Sequence, residues 1–309
     1  MSQEVLTVST QTLQEMKKEY TAFLKPTTPP GALFAAKKNT VNITAYLSGK
    51  VLFQGPISQQ EAAIWADKSQ SVSLNKKTKK EINTPLPEGF SQWSVIGSDE
   101  VGNGSYFGPL TVAATYVDSS QFSLVKELGV RDSKDMKDSE IMVVAKDLIT
   151  FLPHSLLVVS PEKYNAIQPT MTQGKMKAVL HNQALGHVLT KIYPIVPDGI
   201  LIDQFELPAT YFKHIADQPN QIKETLYFQT KGESHHLAVA AASIIARYAF
   251  LTSLATMTKD ARMKIPSGAG SQADLVAAKL LKRGGLSLLG KYAKLHFANT
   301  QKAQKIAGL

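Results

Sequence analysis

The chain has 309 residues, 43% of them hydrophobic, with a formal net charge of +9 at pH 7 and no cysteine. Such a chain can bury one large or two ordinary cores, so a disordered protein is excluded, as are disulfide scaffolds, zinc-thiolate or iron–sulfur centres and thiol nucleophiles. The basic balance indicates an acidic partner, such as nucleic acid or an anionic surface.

The first residues predict a small α+β unit with one open polar face. They have no basic and apolar leader, so we expect a cytoplasmic protein. Apolar residues at three- and four-residue steps predict a helix over 9–24, with Ser9 and Thr10 as candidate caps. Alternation over 41–47 predicts a half-buried strand, and the turn 48–50 leads into a second apolar run at 51–53. The inward positions of the first strand would be Val41, Ile43, Ala45 and Leu47.

A polar stretch predicts a linker over residues 68–90, between domains at 1–67 and 91–309. It contains four lysines, Lys76, Lys77, Lys79 and Lys80. Such a run is typical of a solvated tether, and the alternative is a weak contact with phosphates.

From about residue 91, apolar runs alternate with helical patterns, which predicts an α/β layer structure with a mixed sheet. The predicted strands are 94–98, 110–117, 155–159, 199–202 and 225–228. The predicted helices are 139–151, 172–192, a central run from 234, and two or three after 271. The central run includes 237–257, which has the length of a membrane span but is rich in alanine. We therefore expect a buried central helix.

Acidic residues follow two of these strands, at Asp99-Glu100 and at Asp203. Strand ends in an open α/β sheet converge on one cleft, and carboxylates that meet there repel unless a divalent cation lies between them. Oxygen ligands are those that Mg²⁺ prefers. Glu233, at the start of the central helix, is a further candidate, although an acid at a helix start also stabilises the helix dipole.

Gly102-Asn103-Gly104 follows the first acidic pair directly. A lone G-x-G is weak evidence, because most such pairs are only turns. Beside two carboxylates it permits a sugar–phosphate chain to approach the backbone closely.

The string GSDEVGNGSYFGPLTVAA (97–114) resembles the signature of the type 2 ribonucleases H, and of the ribonuclease HIII branch in particular. Further similar blocks follow in the same order, at 131–136, 175–185, Asp203, 232–250 and 294–300. The segment 44–55 is similar to the TATA-box-binding-protein-like (TBP-like) domain of that branch. The resemblance covers nearly the whole chain outside the linker.

The resemblance implies a ribonuclease H-like fold, a mixed five-stranded sheet flanked by helices, preceded by a small α+β TBP-like domain. The implied activity is endonucleolytic hydrolysis of the RNA strand of an RNA–DNA hybrid, leaving 5′-phosphate and 3′-hydroxyl ends. Two Mg²⁺ ions would be the cofactor, with Mn²⁺ as a substitute. The hybrid duplex would be the partner of a monomer without a membrane or protein partner.

The resemblance also assigns roles to residues. Asp99, Glu100, Asp203 and Glu233 match the metal-binding, catalytic carboxylates. The backbone of Gly102-Asn103-Gly104 would recognise the ribose 2′-hydroxyl, and Ser133 and Lys134 would contact the substrate. In the small domain the duplex contacts would be Tyr46, Ser48, Lys50 and Gln54.

Two histidine positions carry weaker expectations. His235 and His236 are adjacent, so on a helix they diverge and cannot hold one ion together. His296 fits a structural position or a neighbour of the substrate better than a general base.

Two alternative functions remain open in the sequence. One is incision at a single ribonucleotide embedded in DNA, as in the ribonuclease HII branch. The other is a non-catalytic protein that binds hybrid or DNA. The charge is uneven, with net +4 over residues 1–90, −3 over 91–258 and +8 over 259–309. An acidic middle flanked by basic segments favours a metal-requiring enzyme on a phosphate backbone.

Overall fold

The computed structural model describes residues 3–29, 31–66, 85–223 and 225–309. The chain divides into two compact units, residues 1–81 and 82–309. The predicted lysine run of the linker lies outside the described residues. Phe90, which the sequence places in the linker, is buried in the core of the second unit. Its ring packs against Trp93 and Tyr227, so that end of the predicted linker is wrong.

The first unit is a four-stranded antiparallel sheet with helices packed on one face. Its elements are β1 (Gln3–Thr7), α1 (Thr10–Glu19), β2 (Ala32–Lys38), β3 (Val41–Tyr46), β4 (Lys50–Gln54) and α2 (Ser58–Ala63). The strand order is β1-β4-β3-β2. Ser9 caps α1, because its hydroxyl accepts the amide hydrogen of Thr12. The sequence predicts α1 and the β3–β4 hairpin, and misses the other three elements.

Alternation along β3 decides which face of this sheet is buried. Val41, Ile43 and Ala45 have no exposed surface and pack in the core with α1. Leu47 was expected to continue the series and is 74% exposed. The strand ends at Tyr46, whose carbonyl accepts the amide hydrogen of Gly49. Leu47 therefore lies in the turn and not in the sheet.

The second unit is built on a five-stranded mixed sheet, as the sequence predicts. Its strands are β5 (Val95–Val101), β6 (Leu110–Val117), β7 (His154–Val159), β8 (Gly199–Asp203) and β9 (Leu226–Gln229). They lie in the order β7-β6-β5-β8-β9. The central strand β5 pairs antiparallel with β6 and parallel with β8. The acidic residues therefore lie on neighbouring strands.

Helices cover both faces of this sheet. They are α3 (Phe122–Glu127), α4 (Asp138–Phe151), α5 (Pro161–Ile167), α6 (Gln173–Ile192), α7 (Pro208–His214), α8 (Leu237–Ala261), α9 (Ser271–Gly290) and α10 (Ala298–Ala307). The helix α8 packs on β5 and β6 from one side, and α6 packs on the same strands from the other. A non-helical backbone at Gly284 and Gly285 interrupts α9.

The helix α8 is the central helix that the sequence predicts. It is long and apolar enough to cross a membrane, yet 67% of the relevant window is buried inside the protein. Its start lies directly on β5, because Gly97 has no side chain. A Cβ there would lie 2.3 Å from backbone atoms of Ala238 and Val239. This close approach brings the segment before α8 to the acidic end of β5.

Candidate active site

Asp99 and Glu100 lie within the last residues of β5, which continues to Val101 rather than ending before them. Successive side chains of a strand point to opposite faces. Asp99 therefore faces α8, where Ser243 hydrogen-bonds to it. Glu100 faces α6 on the other side of the sheet. The site thus begins as two carboxylates on either side of one central strand.

Asp203 and Glu233 reach the same end of the sheet from other segments. Asp203 is the last residue of β8, and the register that pairs Ser98 with Ile202 places it beside Asp99. Its Oδ1 accepts the amide hydrogen of Gly232 at 2.8 Å. Glu233 follows in the short 3-10 turn before α8 and is buried. All four predicted carboxylates are brought together in the second unit.

The charges of these carboxylates act on one another. Burial, together with the neighbouring charges of Asp203 and Glu100, raises the pKa of Asp99 well above its usual value. Burial likewise raises the pKa of Asp203, to which the charges of Glu233 and Glu100 add. A cation placed among them would relieve this repulsion. The electrostatics therefore favour binding of positive charge at this end of the sheet.

Glu100 differs from its neighbours because two basic side chains of α6 bind it. Lys177 Nζ lies 2.9 Å from Oε1 and His181 Nε2 lies 3.1 Å from Oε2. Burial alone would raise the pKa of Glu100, but the hydrogen bond of His181 and the charge of Lys177 lower it. His181 is held in turn by Ser98 Oγ, 2.8 Å from Nδ1, and by stacking on Phe205. Glu100 is thereby kept charged and fixed in place.

Sequence reasoning missed this support for Glu100. Lys177 and His181 are four residues apart and so share one face of α6. Lys177 also lies 4.1 Å above the ring of Phe205. Both belong to the block 175–185 that carries the resemblance, and their spacing was the available signal. Their partner is about 80 positions away in the chain, so the pairing itself could not be seen.

Ser133 and Lys134 lie beside the carboxylates. The Lys134 ammonium hydrogen-bonds to Glu233 Oε1, and two thirds of its side chain is exposed. The hydroxyl of Ser133 is buried and lies 2.9 Å from Ser243 Oγ. Ser133 is thus linked to Asp99 through Ser243, and only Lys134 has surface open to a ligand.

The donor set fits a hard divalent cation. Carboxylate oxygens are the ligands of Mg²⁺ and Mn²⁺, and Glu233 Oε2 is buried without a hydrogen-bond partner among the described residues. Within those residues, no three acidic or histidine side chains already surround one point as a finished metal shell. Lys134 occupies the other oxygen of Glu233 instead. The arrangement offers free oxygen ligands, and a cation would compete with Lys134 for Glu233.

The glycine loop follows β5 at the edge of this cluster. Gly102 has φ +98°, and a Cβ there would lie 2.1 Å from the Pro109 carbonyl oxygen, so only glycine fits. Gln173 at the start of α6 donates to the Asn103 carbonyl at 3.2 Å. Among the described residues, no atom outside the immediate chain neighbours lies within 4 Å of a Cβ built at Gly104. The loop is fixed at its first two residues and open to solvent at the third.

The candidate duplex contacts of the first unit lie on the open face of its sheet or at its edge. Lys50 and Gln54 are exposed on β4, and Ser48 is exposed in the preceding turn. Gln54 is flanked by Gln3 on β1 and Asn42 on β3. The same face includes further side chains for which the sequence predicted no contact, namely Val5, Lys37, Asn42, Thr44 and Leu52. Tyr46 lies on the same face of β3 as Asn42 and Thr44 and is half-buried.

The histidines singled out in the sequence lie in two different settings. His236 caps α8, because its Nδ1 accepts the amide hydrogen of Ala238, and its Nε2 lies 3.1 Å from the Trp93 carbonyl. Burial lowers the pKa of His236 to about 4. His235 is exposed, so the two imidazoles do not share a site. His296 stacks on Tyr164 with ring centroids 5.3 Å apart.

Comparison with known proteins gives matches over nearly the whole chain. The family model described as Ribonuclease HII matches residues 96–300, and one described as Domain of unknown function (DUF3378) matches residues 3–80. Ribonuclease HIII of Enterococcus faecalis is 52% identical over 302 residues, 98% of either chain. Ribonuclease HIII of Bacillus subtilis is 50% identical over 311 residues, 99% of this chain and 98% of the relative.

Solved structures agree with these sequence matches. Bst-RNase HIII in complex with Mn²⁺ is 40% identical, with a TM-score of 0.69 over 99% of both chains. Aquifex aeolicus RNase H3 is 22% identical, with a TM-score of 0.53 over 94% of this chain and 99% of that one, and shows the fold alone. The predicted ribonuclease H-like fold with a small TBP-like domain before it is confirmed.

Proposed function

The chain belongs to the ribonuclease HIII family of ribonuclease H endonucleases, and we propose that Asp99, Glu100, Asp203 and Glu233 carry its hydrolysis of the RNA strand of RNA–DNA hybrids. The observation that supports this assignment is the meeting of four carboxylates at one end of the central sheet. Burial and mutual repulsion make that cluster a site for positive charge.

The four carboxylates would hold two divalent cations, with Mg²⁺ as the proposed ion and Mn²⁺ as a substitute. When bound, such a pair would supply an activated water and would stabilise the charge of the leaving 3′-oxygen. The chain itself fixes the ligands. Lys177 and His181 keep Glu100 charged and oriented, Ser243 binds Asp99, and the Gly232 amide binds Asp203.

The glycine loop is proposed to read the ribose 2′-hydroxyl through its backbone. Gly104 is the residue that a sugar can approach, because nothing in the described protein occupies the space in front of it. The 2′-hydroxyl distinguishes RNA from DNA at a given position. Lys134, whose ammonium is exposed at the edge of the carboxylates, would contact a phosphate.

The first unit is proposed to bind the duplex through the open face of its sheet and the adjoining turn. Tyr46, Ser48, Lys50 and Gln54 supply hydroxyl, amide and ammonium groups there, and residues 1–67 are proposed as the substrate-binding domain. We further propose a monomer in the cytoplasm. Gel filtration coupled to light scattering tests the first of these two points, and a mass of one chain is expected.

Substitution of Asp99 by Asn tests the assignment of the carboxylates. Asn is nearly isosteric but lacks the charge that would hold a cation, so we expect hybrid cleavage to fall by about 1,000-fold or more, with hybrid binding retained. The matched control is Asp138→Asn, which alters an exposed ion pair with Arg247 and should retain cleavage. Normal turnover by D99N would contradict the proposal, and absence of Mg²⁺ or Mn²⁺ binding in calorimetry would favour a non-catalytic binding protein.

The second candidate is incision at a single ribonucleotide in DNA. It is favoured by the match to the family model described as Ribonuclease HII. The test compares cleavage of a continuous hybrid with that of a duplex containing one ribonucleotide. We expect the continuous hybrid to be cut faster, because the resemblance includes the small domain of the ribonuclease HIII branch. Equal or faster cutting at the single ribonucleotide would favour the second candidate.

Gly104→Ala tests the proposed approach of the sugar to the loop. The added methyl meets no atom of the described residues beyond its chain neighbours within 4 Å, so the variant should fold normally and lose about tenfold in kcat/KM through contact with the substrate. The control is Gly186→Ala on α6, where the Cβ would make an ordinary 3.7 Å contact with Ile222. Unchanged kinetics of G104A would place the substrate elsewhere.

A further inference from the structure

Lys294 is a lysine with no exposed surface, located between α9 and α10. Its Nζ donates to two backbone carbonyls, that of Ser105 at 2.7 Å and that of Gly108 at 2.6 Å. Its backbone amide also donates to the Tyr106 carbonyl at 2.9 Å. One residue therefore binds three backbone carbonyls, those of Ser105, Tyr106 and Gly108, in the segment that directly follows the glycine loop.

These contacts reach the glycine loop from both of its ends. Ser105 follows Gly104 directly, and its amide donates to the Gly102 carbonyl at 3.2 Å. Gly108 precedes Pro109, whose carbonyl oxygen touches the position where a Gly102 side chain would start. A shift of either carbonyl that Lys294 binds would thus move the loop residues themselves.

Burial of this ammonium is unfavourable unless its hydrogen bonds compensate for lost hydration. Burial lowers the pKa of Lys294 to about 7. Its described neighbours offer no carboxylate, since the facing groups are the ring of Tyr164 at 5.8 Å and the imidazole of His296. Charged or neutral, the amino group retains two N–H donors for the two carbonyls. A buried apolar side chain of the same length would fill the space without this cost.

We propose that Lys294 is a positioning residue for recognition of the RNA strand: its amino group fixes the carbonyls of Ser105 and Gly108 and thereby sets the backbone of Gly102-Asn103-Gly104 against the ribose 2′-hydroxyl. This inference rests on the proposed role of that loop. Lys294 does not touch the substrate. Its effect is on how well the enzyme distinguishes ribose from deoxyribose.

Lys294→Met is the first test, because methionine keeps the length and removes the donors. Cleavage is measured on a duplex with a run of ribonucleotides and on copies with one position at a time changed to 2′-deoxyribose. We expect kcat/KM on the all-ribose run to fall about 10- to 100-fold, and the ratio between ribose and deoxyribose at the sensitive position to fall at least about tenfold. Hybrid binding by the small domain should be retained.

A matched control separates positioning from loss of stability. Leu148→Ala removes a fully buried side chain of α4, in the core that α4 shares with α8, and destabilises the same unit without touching the loop. It should lower the unfolding midpoint and leave the ratio unchanged at temperatures where the protein is folded. An equal change of the ratio in L148A would overturn the assignment to Lys294.

The absence of cysteine allows a rescue experiment. Lys294→Cys introduces a single thiol, which is alkylated with 2-bromoethylamine in denaturant, forming a carbon–sulfur bond and releasing bromide. The refolded product has an amino group on a side chain of lysine length. We expect its ratio of cleavage at ribose to cleavage at deoxyribose to be at least about tenfold higher than that of K294M. Where K294M does not fold, the comparison is with untreated K294C. Wild-type protein taken through the same treatment is the control for refolding.

The outcomes separate this inference from the proposed function. Wild-type protein that cuts both sugars equally contradicts the proposed role of the loop. Wild-type protein that discriminates, together with a folded K294M that discriminates as well, overturns the role of Lys294 alone. A refolded aminoethyl variant that stays as poor as K294C or K294M also overturns it.

Discussion

The two sheets of this chain differ in how many of their faces are covered. The sheet of the first unit has α1 and α2 on one face and polar side chains on the other. The sheet of the second unit lies between α8 and α6 and has no open face among its central strands. The first can offer a flat surface to a duplex, whereas the second can place chemistry only where its strands end.

This difference predicts two kinds of mutational effect. In the covered sheet, a polar side chain near the site is buried and paired, so its loss should cost stability as well as activity. On the open face, a polar side chain is hydrated before and after the change. Its loss should alter binding and leave stability nearly unchanged.

The largest effect is expected for Lys177→Met, in the covered sheet. The change leaves Glu100 buried with the hydrogen bond to His181 but without the charge of Lys177, and breaking a buried ion pair typically costs about 3–5 kcal/mol. Chemical denaturation measures the loss, and hybrid cleavage should fall with it. The control is Lys175→Met, two residues earlier, which breaks a half-exposed pair with Asp217 and should cost less than about 1 kcal/mol. Equal losses for the two lysines would break the contrast.

The next effect is a pH dependence that His236 contributes. Burial against Phe90 and Phe122 lowers the pKa of His236 to about 4, so the folded protein keeps it neutral while the unfolded chain binds a proton below about 6.5. Stability is therefore lost as pH falls from about 6.5 to 4, by about 3 kcal/mol in total. His236→Asn, which keeps a capping side chain, should remove that part of the slope. Parallel pH profiles of wild type and H236N would contradict this.

The smallest effect is expected on the open sheet, for Lys50→Ala. Loss of one phosphate contact should make the slope of log K for hybrid binding against log salt concentration shallower by about one. The free energy of unfolding should change by less than about 0.5 kcal/mol. The matched control is Lys17→Ala, an exposed lysine on α1, which covers the opposite face of the same sheet. A salt slope that changes as much for K17A as for K50A would mean that the open face is not the binding face.

The same contrast explains how much of the fold the sequence predicts. Long buried strands and helices are visible in it, so the predicted strand 110–117 has the bounds of β6 and the predicted helix 139–151 is within one residue of α4. Helices of two turns or fewer, such as α5 and α7, are too short to show a period. The strand β2 was missed because its three alanines and two lysines do not alternate clearly.

The candidate site divides along a similar line. The four carboxylates and the glycine loop could be named from the sequence, because each stands in a short local motif. The residues that hold them could not, since each depends on a partner brought near by the fold. Ser133 shows the difference, because its motif suggests a substrate contact and its hydroxyl is instead buried against Ser243. Lys294 is the same case, because its three hydrogen bonds run to a segment nearly two hundred residues earlier.

That separation has a consequence for synthesis of the chain on the ribosome. The first unit can close once α2 and Trp65 have emerged, because Ala62 and Trp65 belong to its core. The bond between Lys294 and Ser105 spans 189 residues, so the loop waits about 10–40 s after its own translation for the residue that holds it. The open sheet face of the first unit is therefore complete well before the glycine loop of the second unit is held in place.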